Sequence, residues 1–546
     1  MRTSDLRCFK TCIGSLLFLC LCLEAWATPQ TEPQAAQVVA GWLAATPTPL
    51  GAAAVLKASA KPAQAFQSTA GQTLYYVFPL EPAGFVVTSA DDGVEPILAF
   101  SATGSFDSSG ENPLVALLAH DLPTRLSQAG EGARGAGHTG SVAQKKWASL
   151  ARTGPKPMVP EPMDDNGISA VDDLRVAPFT QSQWNQSVIW NGSSYVACYN
   201  YHTPPFDAGD AGNYVCGCDP TAWAQIMRYF SYPTQSVGTA SYPITVDGVV
   251  TSRALRGGDG LGGPYQWNLM PATPGAATTP QQCEAIGALT GDIGTASGTS
   301  YGGSGSSTTL GTNLALKSVF DYANAIGAGI MDGYFTDSVL PSLDARLPVF
   351  FALAGLPIGH SVVGDGYGYN LGTLYHHLNM GWGGEDNVWY NFDLPSINAQ
   401  GQQFGSVQVY YYNIFPTGGG EIVSGRVLNT ANSPISNALV QATGGGKTYS
   451  ALTDGLGVYA LAQLPSSTTF SMSVTNYGYR FSPRTVTTGF SQDDLPTGNQ
   501  WGVNFVGATN PATWVVSGTI SSSANTSIGG VTVAFSNGGG TVTTDG

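Results

Sequence analysis

The 546-residue sequence predicts a protein of mixed α and β structure, in three or four folded units, that finishes in all-β modules. Three observations carry this. Glycine and proline together make up about one residue in five, a turn-rich composition that stops short of a collagenous or disordered chain. Between residues 30 and 416, helically spaced apolar residues alternate with short strand-like runs. Beyond Gly418-Gly419-Gly420 only short alternating strands follow, and they repeat. The 11 Trp, 24 Tyr and 22 Phe supply apolar surface for several cores. Acidic residues outnumber basic ones by 36 to 21, a net charge of −15, which argues against nucleic acid or an anionic membrane as partner.

The first 27 residues read as a signal peptide. Arg2, Arg7 and Lys10 form a basic start, Cys12 to Leu23 is uncharged and apolar, and Ala25-Trp26-Ala27 offers the small residues a signal peptidase needs. Leu19 and Leu21, before Cys20 and Cys22, are too large for a lipid-modification site. An exported protein is expected. Four of the eight cysteines leave with the leader, and Cys198, Cys216, Cys218 and Cys283 remain, too few for a disulfide scaffold.

Residues 28–150 form a first unit, with a helix over Gln34 to Ala45 and strands at Thr73 to Phe78, Gly84 to Thr88 and Pro96 to Ser101. Residues 151–175, rich in proline, read as a linker, and Lys145-Lys146 just before it looks exposed and protease-sensitive. Residues 176–418 are long enough for one α/β or α+β domain. Its clearest helix follows Cys218, where Pro220 suits the first turn and Ala222, Ile226, Met227 and Phe230 share a face. Helical patterns also fit Gln281 to Leu289 and Leu310 to Ala323, and strands fit Leu347 to Ala352, His360 to Val363 and Leu374 to Asn379. In the tail, Val423-Ser424-Gly425-Arg426-Val427 is answered by Val516-Ser517-Gly518-Thr519-Ile520, an offset of 93. Thr453-Asp454-Gly455 is answered by Thr544-Asp545-Gly546. The first copy spans 419–508. The second, 512–546, lacks its back half, so either the sequence is a fragment of a longer chain or this half-module is poorly ordered.

Cys218 stands out chemically. A thiol at a helix start feels the positive end of the macrodipole, which favours the thiolate, and Gly217 permits the sharp entry. The alternative is a structural cysteine or half of a disulfide. A cysteine nucleophile needs a base, and His360, at the head of an apolar strand, is a candidate, although taken alone a satisfied core histidine is the better fit to that place. His376 and His377 are consecutive on a strand and point to opposite faces, so they do not chelate one metal together, and no metal or cofactor is expected. Gly298-Thr299-Ser300-Tyr301-Gly302 matches the serine-hydrolase elbow only formally, because no helix follows it.

The segment from Gly217 to Tyr229, ending in Tyr232-Pro233, resembles the nucleophile helix of the streptopain family of papain-like bacterial cysteine proteases. Gly359 to Gly366 is similar to that family's catalytic-histidine strand, and His377 to Gly384 to its asparagine strand and glycine-tryptophan turn. Trp184-Asn185-Gln186 sits where the family keeps its oxyanion glutamine. Tyr265 to Asn268, Gly291 to Gly294 and the loop from Tyr301 to Ser307 fit as well. The first unit, at Gly84 to Ser89 and Ile97 to Phe100, resembles the family's inhibitory propeptide, and each tail copy resembles a carboxypeptidase regulatory-like β-sandwich. Two departures stand out: Met380 where the family often has Trp, and Asp219-Pro220 in place of a small apolar pair.

The resemblance implies an α+β papain-like protease domain behind an α+β propeptide and before all-β sandwich modules. It implies a secreted cysteine endopeptidase made as a zymogen and acting on protein or peptide substrates, with its own propeptide as inhibitor. Cys218 would attack the carbonyl as thiolate and His360 would hold the ion pair and protonate the leaving amine. Asn379 would orient the His360 ring through its side-chain carbonyl, and Gln186 with the Cys218 N–H would form the oxyanion hole. Trp382 would shield the pair, and Met380, Ser304 and Ser306 would line the substrate pocket. Two other readings stand beside this one: an inactive surface-binding protein whose β modules hold a surface or glycan, and a transpeptidase or deamidase on the same fold.

Overall fold

The computed structural model describes residues 28–135, 141–152, 172–206, 208–309, 312–329, 334–355, 359–392, 396–397, 403–404, 406–509, 517–534 and 541–545. The leader lies outside them, as does the proline-rich stretch 153–171. The first unit begins with α1 (Glu32–Ala45), whose Thr31 and Gln34 form a capping box. Its apolar stripe of Val38, Val39, Trp42 and Leu43 covers the strands β1 (Thr73–Glu81), β2 (Phe85–Ser89) and β3 (Ile97–Ser101). Then come α2 (Pro113–Gly135) and α3 (Val142–Leu150).

The helix α3 was not anticipated, and it corrects the reading of Lys145-Lys146 for its second member: Lys145 is exposed on the helix, whereas Lys146 is half-buried. Trp147 and Leu150 bury against α1, and Lys146 pairs with Glu95 at 2.7 Å while also donating to Thr373. Capping by Ser141 and Gln144 starts this helix despite the glycines before it. The linker shortens at its carboxyl end. Asp172 to Val176 form a strand, β4, of the following domain rather than part of a linker ending at 175.

The strands of the following domain are β5 (Asn324–Gly329), β6 (Val349–Leu353), β7 (His360–Asn370), β8 (Thr373–Asn379), β9 (Val388–Tyr390) and β10 (Val407–Phe415). They join the first unit in one twelve-stranded sheet whose central order is β1-β2-β3-β9-β8-β7-β6-β10-β5. β4 lies along the far half of β7, with Tyr367 opposite Val176 and Asn370 opposite Asp172. The seam between the two units is the β3–β9 pairing, where Phe100 faces Trp389 and Ala99 faces Tyr390.

Side chains alternate across the sheet, so its two faces build two cores. Phe351, Val362, Tyr410 and Tyr412 point to one face, against α2 and α7 (Phe335–Asp344). Phe350, Val363 and Tyr411 point to the other, against α4 (Cys218–Phe230) and α5 (Pro280–Ala296). Trp223 of α4 stacks on Phe350 at 4.5 Å and donates its indole N–H to Thr312. The helix expected over Leu310 to Ala323 is shorter: α6 covers Asn313–Ser318, and Asp321 at φ 58° turns the chain into β5.

The first tail module is a sandwich of two four-stranded sheets, beginning with β11 (Glu421–Asn429). Its core includes Val423, Val440, Leu461, Phe470 and Phe505. Of the second copy, Thr532–Ala534 and Thr541–Thr543 pair as a small hairpin. Val531 and Val533 are only half-buried there, and Phe535 lies outside the described residues.

Candidate active site

Cys218 is the first residue of α4, and Gly217 before it adopts φ 98° and ψ 157°, a left-side conformation that disfavours residues with a Cβ. The turn is fixed by two bonds. The Cys216 N–H donates to the Gln186 carbonyl at 2.8 Å, and Thr221 Oγ1 donates to Gly217 O at 2.9 Å. Together they bring Gln186, from the segment that opens the domain, beside the helix start. The Gln186 side chain is buried and, among the described residues, has no side-chain hydrogen bond. Ser306 lies against Gly217 and donates to Val215 O at 2.6 Å. Ser304 is exposed on the adjoining hairpin turn, so of the two only Ser306 meets the loop before Cys218.

The Cys218 sulfur faces the amide and hydroxyl of Ser361, the residue after His360, along with amides of its own first turn. Those donors favour a thiolate, but burial outweighs them and pushes the thiol above its ordinary pKa. His360 is likewise held neutral, its pKa lowered to about 4 by burial. Its Nε2 lies 2.8 Å from the Met380 carbonyl. A carbonyl can only accept, so Nε2 carries the proton and Nδ1 presents the lone pair. No hydrogen bond joins Cys218 to His360 among the described residues.

Two expectations are corrected here. Asn379 does not hold the His360 ring in this structure. Its Oδ1 accepts from the Gly381 N–H at 3.1 Å, and its Nδ2 donates to Ser182 O at 2.6 Å. Asn379 instead shapes the turn that aims the Met380 carbonyl, and the acceptor for His360 is a backbone oxygen. Met380 does not line a pocket either: its side chain is 0 % exposed, in the core with Leu378 and Val388. A residue following an inward-turned asparagine on a strand end faces the opposite core. Trp382 packs half-buried over the same core. Gly381, at φ 66°, lies so close to Thr221 of α4 that a Cβ there would sit 3.2 Å from its methyl.

Sequence reasoning missed Ser361 and the Met380 carbonyl. Neither has a residue-type signature, because one acts through position and the other through its backbone. Asp219 is buried, Thr312 is its hydrogen-bonding neighbour, and Oδ1 has no partner. Burial drives its pKa well above the carboxylate range, with the adjacent Cys218 adding to the effect. The remaining cysteines are structural in setting. All four are free thiols. Cys216 is fully buried with its pKa pushed up to about 12, and Cys198 and Cys283 hydrogen-bond to each other in the core.

The first unit approaches this region from the side of the 382–392 loop. Asn112 donates to Asp386 at 2.8 Å, Arg125 binds Asn391 and pairs with Asp121, and Asp121 accepts from the Tyr390 hydroxyl. Among the described residues no cluster of three or more His, Cys, Asp or Glu is placed to hold a metal ion.

Comparison with known proteins follows the same division. Residues 184–390 match the Peptidase C10 family, residues 27–125 the Spi protease inhibitor family, and residues 422–493 the carboxypeptidase regulatory-like domain. Streptopain of Streptococcus pyogenes is 25 % identical over 334 residues, 60 % of this chain and 75 % of that protein. The thiol protease/hemagglutinin PrtT of Porphyromonas gingivalis is 25 % identical over 337 residues, 60 % of this chain and 34 % of its own length. Among solved structures, a fragment of prointerpain A from Prevotella intermedia is 21 % identical with a TM-score of 0.46, covering 65 % of this chain and 99 % of that one.

Proposed function

Since the chain belongs to the streptopain (Peptidase C10) family of cysteine-type peptidases and carries an inhibitory propeptide of the Spi type, we propose that it is an exported endopeptidase whose nucleophile is Cys218 and whose base is His360. The observation that carries this is the position of the thiol. It sits at the amino end of α4, against Ser361, one residue from an imidazole whose tautomer is set by the Met380 carbonyl.

With Nε2–H committed to that carbonyl, Nδ1 is the atom left to take the thiol proton. Proton transfer creates a thiolate that the α4 amino end and the Ser361 donors favour, and an imidazolium that the Met380 carbonyl favours. The thiolate attacks the peptide carbonyl, and His360 then delivers its proton to the leaving amine. The Gln186 amide and the Cys218 N–H serve the developing oxyanion, where one donor is worth roughly 3–4 kcal/mol. Asn379 acts through the turn it stabilises, as a positioning residue.

The first unit is joined to the peptidase sheet through the β3–β9 pairing and bonded to Asp386 and Asn391. This supports a latent proenzyme. Residues 153–171, between the docked α3 and β4, are the segment in which we place the maturation cut, and the basic-apolar leader supports export. The test combines a thiol-directed peptide inhibitor with product analysis of a cleaved peptide. The matured protein should be labelled at Cys218 and release hydrolysed peptide, and Cys218→Ser and His360→Ala should do neither. Labelling elsewhere, or transfer to an added amine in preference to water, would overturn the reading.

A further inference from the structure

The strand β4 stands between two bodies. Because neighbouring residues on a strand face opposite ways, its side chains divide between them. Asp172 and Leu174 meet the propeptide: the Leu50 N–H donates to Asp172 at 3.0 Å, and Leu174 packs on the propeptide core beside Gly51. Asp173 and Arg175 meet the first β-sandwich. Arg426 of β11 donates to Asp173 Oδ1 at 2.7 Å and to Leu456 O at 2.8 Å, while Arg175 pairs with Asp173 Oδ2 at 3.0 Å, and all three charged groups are buried.

The sandwich itself is bonded to the peptidase at several further points. Asn413 and Asn499 exchange two side-chain hydrogen bonds of 2.9 and 3.0 Å across the joint. Ser424 donates to Asp344 of α7, Asp493 accepts from the Gly327 N–H at 2.7 Å, and Ile422 buries against Leu347 and Phe415. This is the anchoring of a fixed wall rather than of a tethered appendage.

We infer that the first β-sandwich is the clamp that keeps the amino-terminal strand of the matured peptidase on its sheet. The inference rests on the proposed maturation within 153–171. Once the propeptide leaves, Asp172 and Leu174 lose their partners on that side, and the Arg426–Asp173 joint remains. β4 covers the edge of β7 at Tyr367 to Asn370, so close that a Cβ on Gly366 would lie 2.9 Å from Val176 O. β7 begins at His360, so an uncovered edge there loosens the strand that carries the base.

The test is a double-substitution cycle in the full, uncut Cys218→Ala chain, read by amide exchange of residues 172–176. Arg426→Met and Leu174→Ala alone, which loosen the sandwich side and the propeptide side of β4 respectively, should each speed exchange by about twofold or less, whereas both together should speed it at least about tenfold. In the Cys218 chain after propeptide removal, Arg426→Met alone should shorten the half-life of peptidase activity, and Arg426→Lys, which keeps the charge, should shorten it less. A double variant no faster than the product of the singles overturns the clamp. So does full acceleration by Arg426→Met alone, or failure of that variant to fold uncut. The cycle uses no cleavage, so a wrong maturation site appears separately, as a Cys218 chain never shortened within 153–171.

Discussion

Asp344 closes α7 at the joint with the β-sandwich, accepting from the Tyr367 hydroxyl on one oxygen and from the Ser424 hydroxyl on the other, both at 2.7 Å. Burial raises its pKa to about 7 despite these bonds and the nearby Arg175. The unfolded chain would ionise it at the ordinary aspartate value of 3.8. A raised carboxyl binds its proton more tightly when folded, so its stabilising contribution is complete below pH 3.8, falls as the pH rises, and is gone above about 7. At about 1.4 kcal/mol for each pH unit, the difference across that window is of the order of 4 kcal/mol. Asp344→Asn imitates the protonated acid, because its carbonyl accepts from one hydroxyl and its amide donates to the other. Thermal unfolding of the Cys218→Ala proenzyme with and without Asp344→Asn, from pH 4 to pH 8, isolates the effect as a difference curve. The asparagine variant should gain on the parent as the pH rises and level off near pH 7. A flat difference curve, or an asparagine variant that loses stability above pH 7, would refute the reasoning.

The other expectations concern the nucleophile, the asparagine turn and the linker. Cys218→Ser should abolish peptide hydrolysis while circular dichroism stays unchanged. Cys283→Ser, which puts a hydroxyl in the α5 core, should keep turnover and lower stability by about 1–3 kcal/mol in denaturant titration. Met380→Trp should overpack the core under β8 and cost about 1–3 kcal/mol or more, with rates across a peptide panel falling together rather than changing in order. Limited proteolysis of the Cys218→Ala proenzyme should cut first within 153–171, sparing Lys145-Lys146, and mass analysis of the earliest fragments checks this. Trimming from the carboxyl end should halt near Gly507, since the hairpin at 532–543 buries little.

The order of units, the α4 helix and the strands β2, β3, β6 and β8 were legible from composition, periodicity and repeats, because each depends on neighbours in sequence. Cys218 drew notice through its helix start and preceding glycine, but its role and that of His360 came from the resemblance of their motifs to the streptopain family. What the sequence left open depended on distant partners. The strand β4 forms because β7 offers an edge, although Asp172-Asp173 alone reads as linker. The helix α3 forms on α1, burying Trp147 and pairing Lys146 with Glu95. Asn379 was recognised by residue type, but its amide is taken by Gly381 and Ser182, and a carbonyl no sequence can label reaches His360 instead. The β-sandwich has a complete core of its own, with Val423, Leu461 and Phe505 inside, and nothing in its sequence marks a second, bonded face. Only the tertiary structure revealed that its outer face carries Arg426, Ser424 and Asn499 into bonds with the peptidase. Those polar groups are ordinary in a sequence and become decisive when burial requires each of them to find partners within the protein.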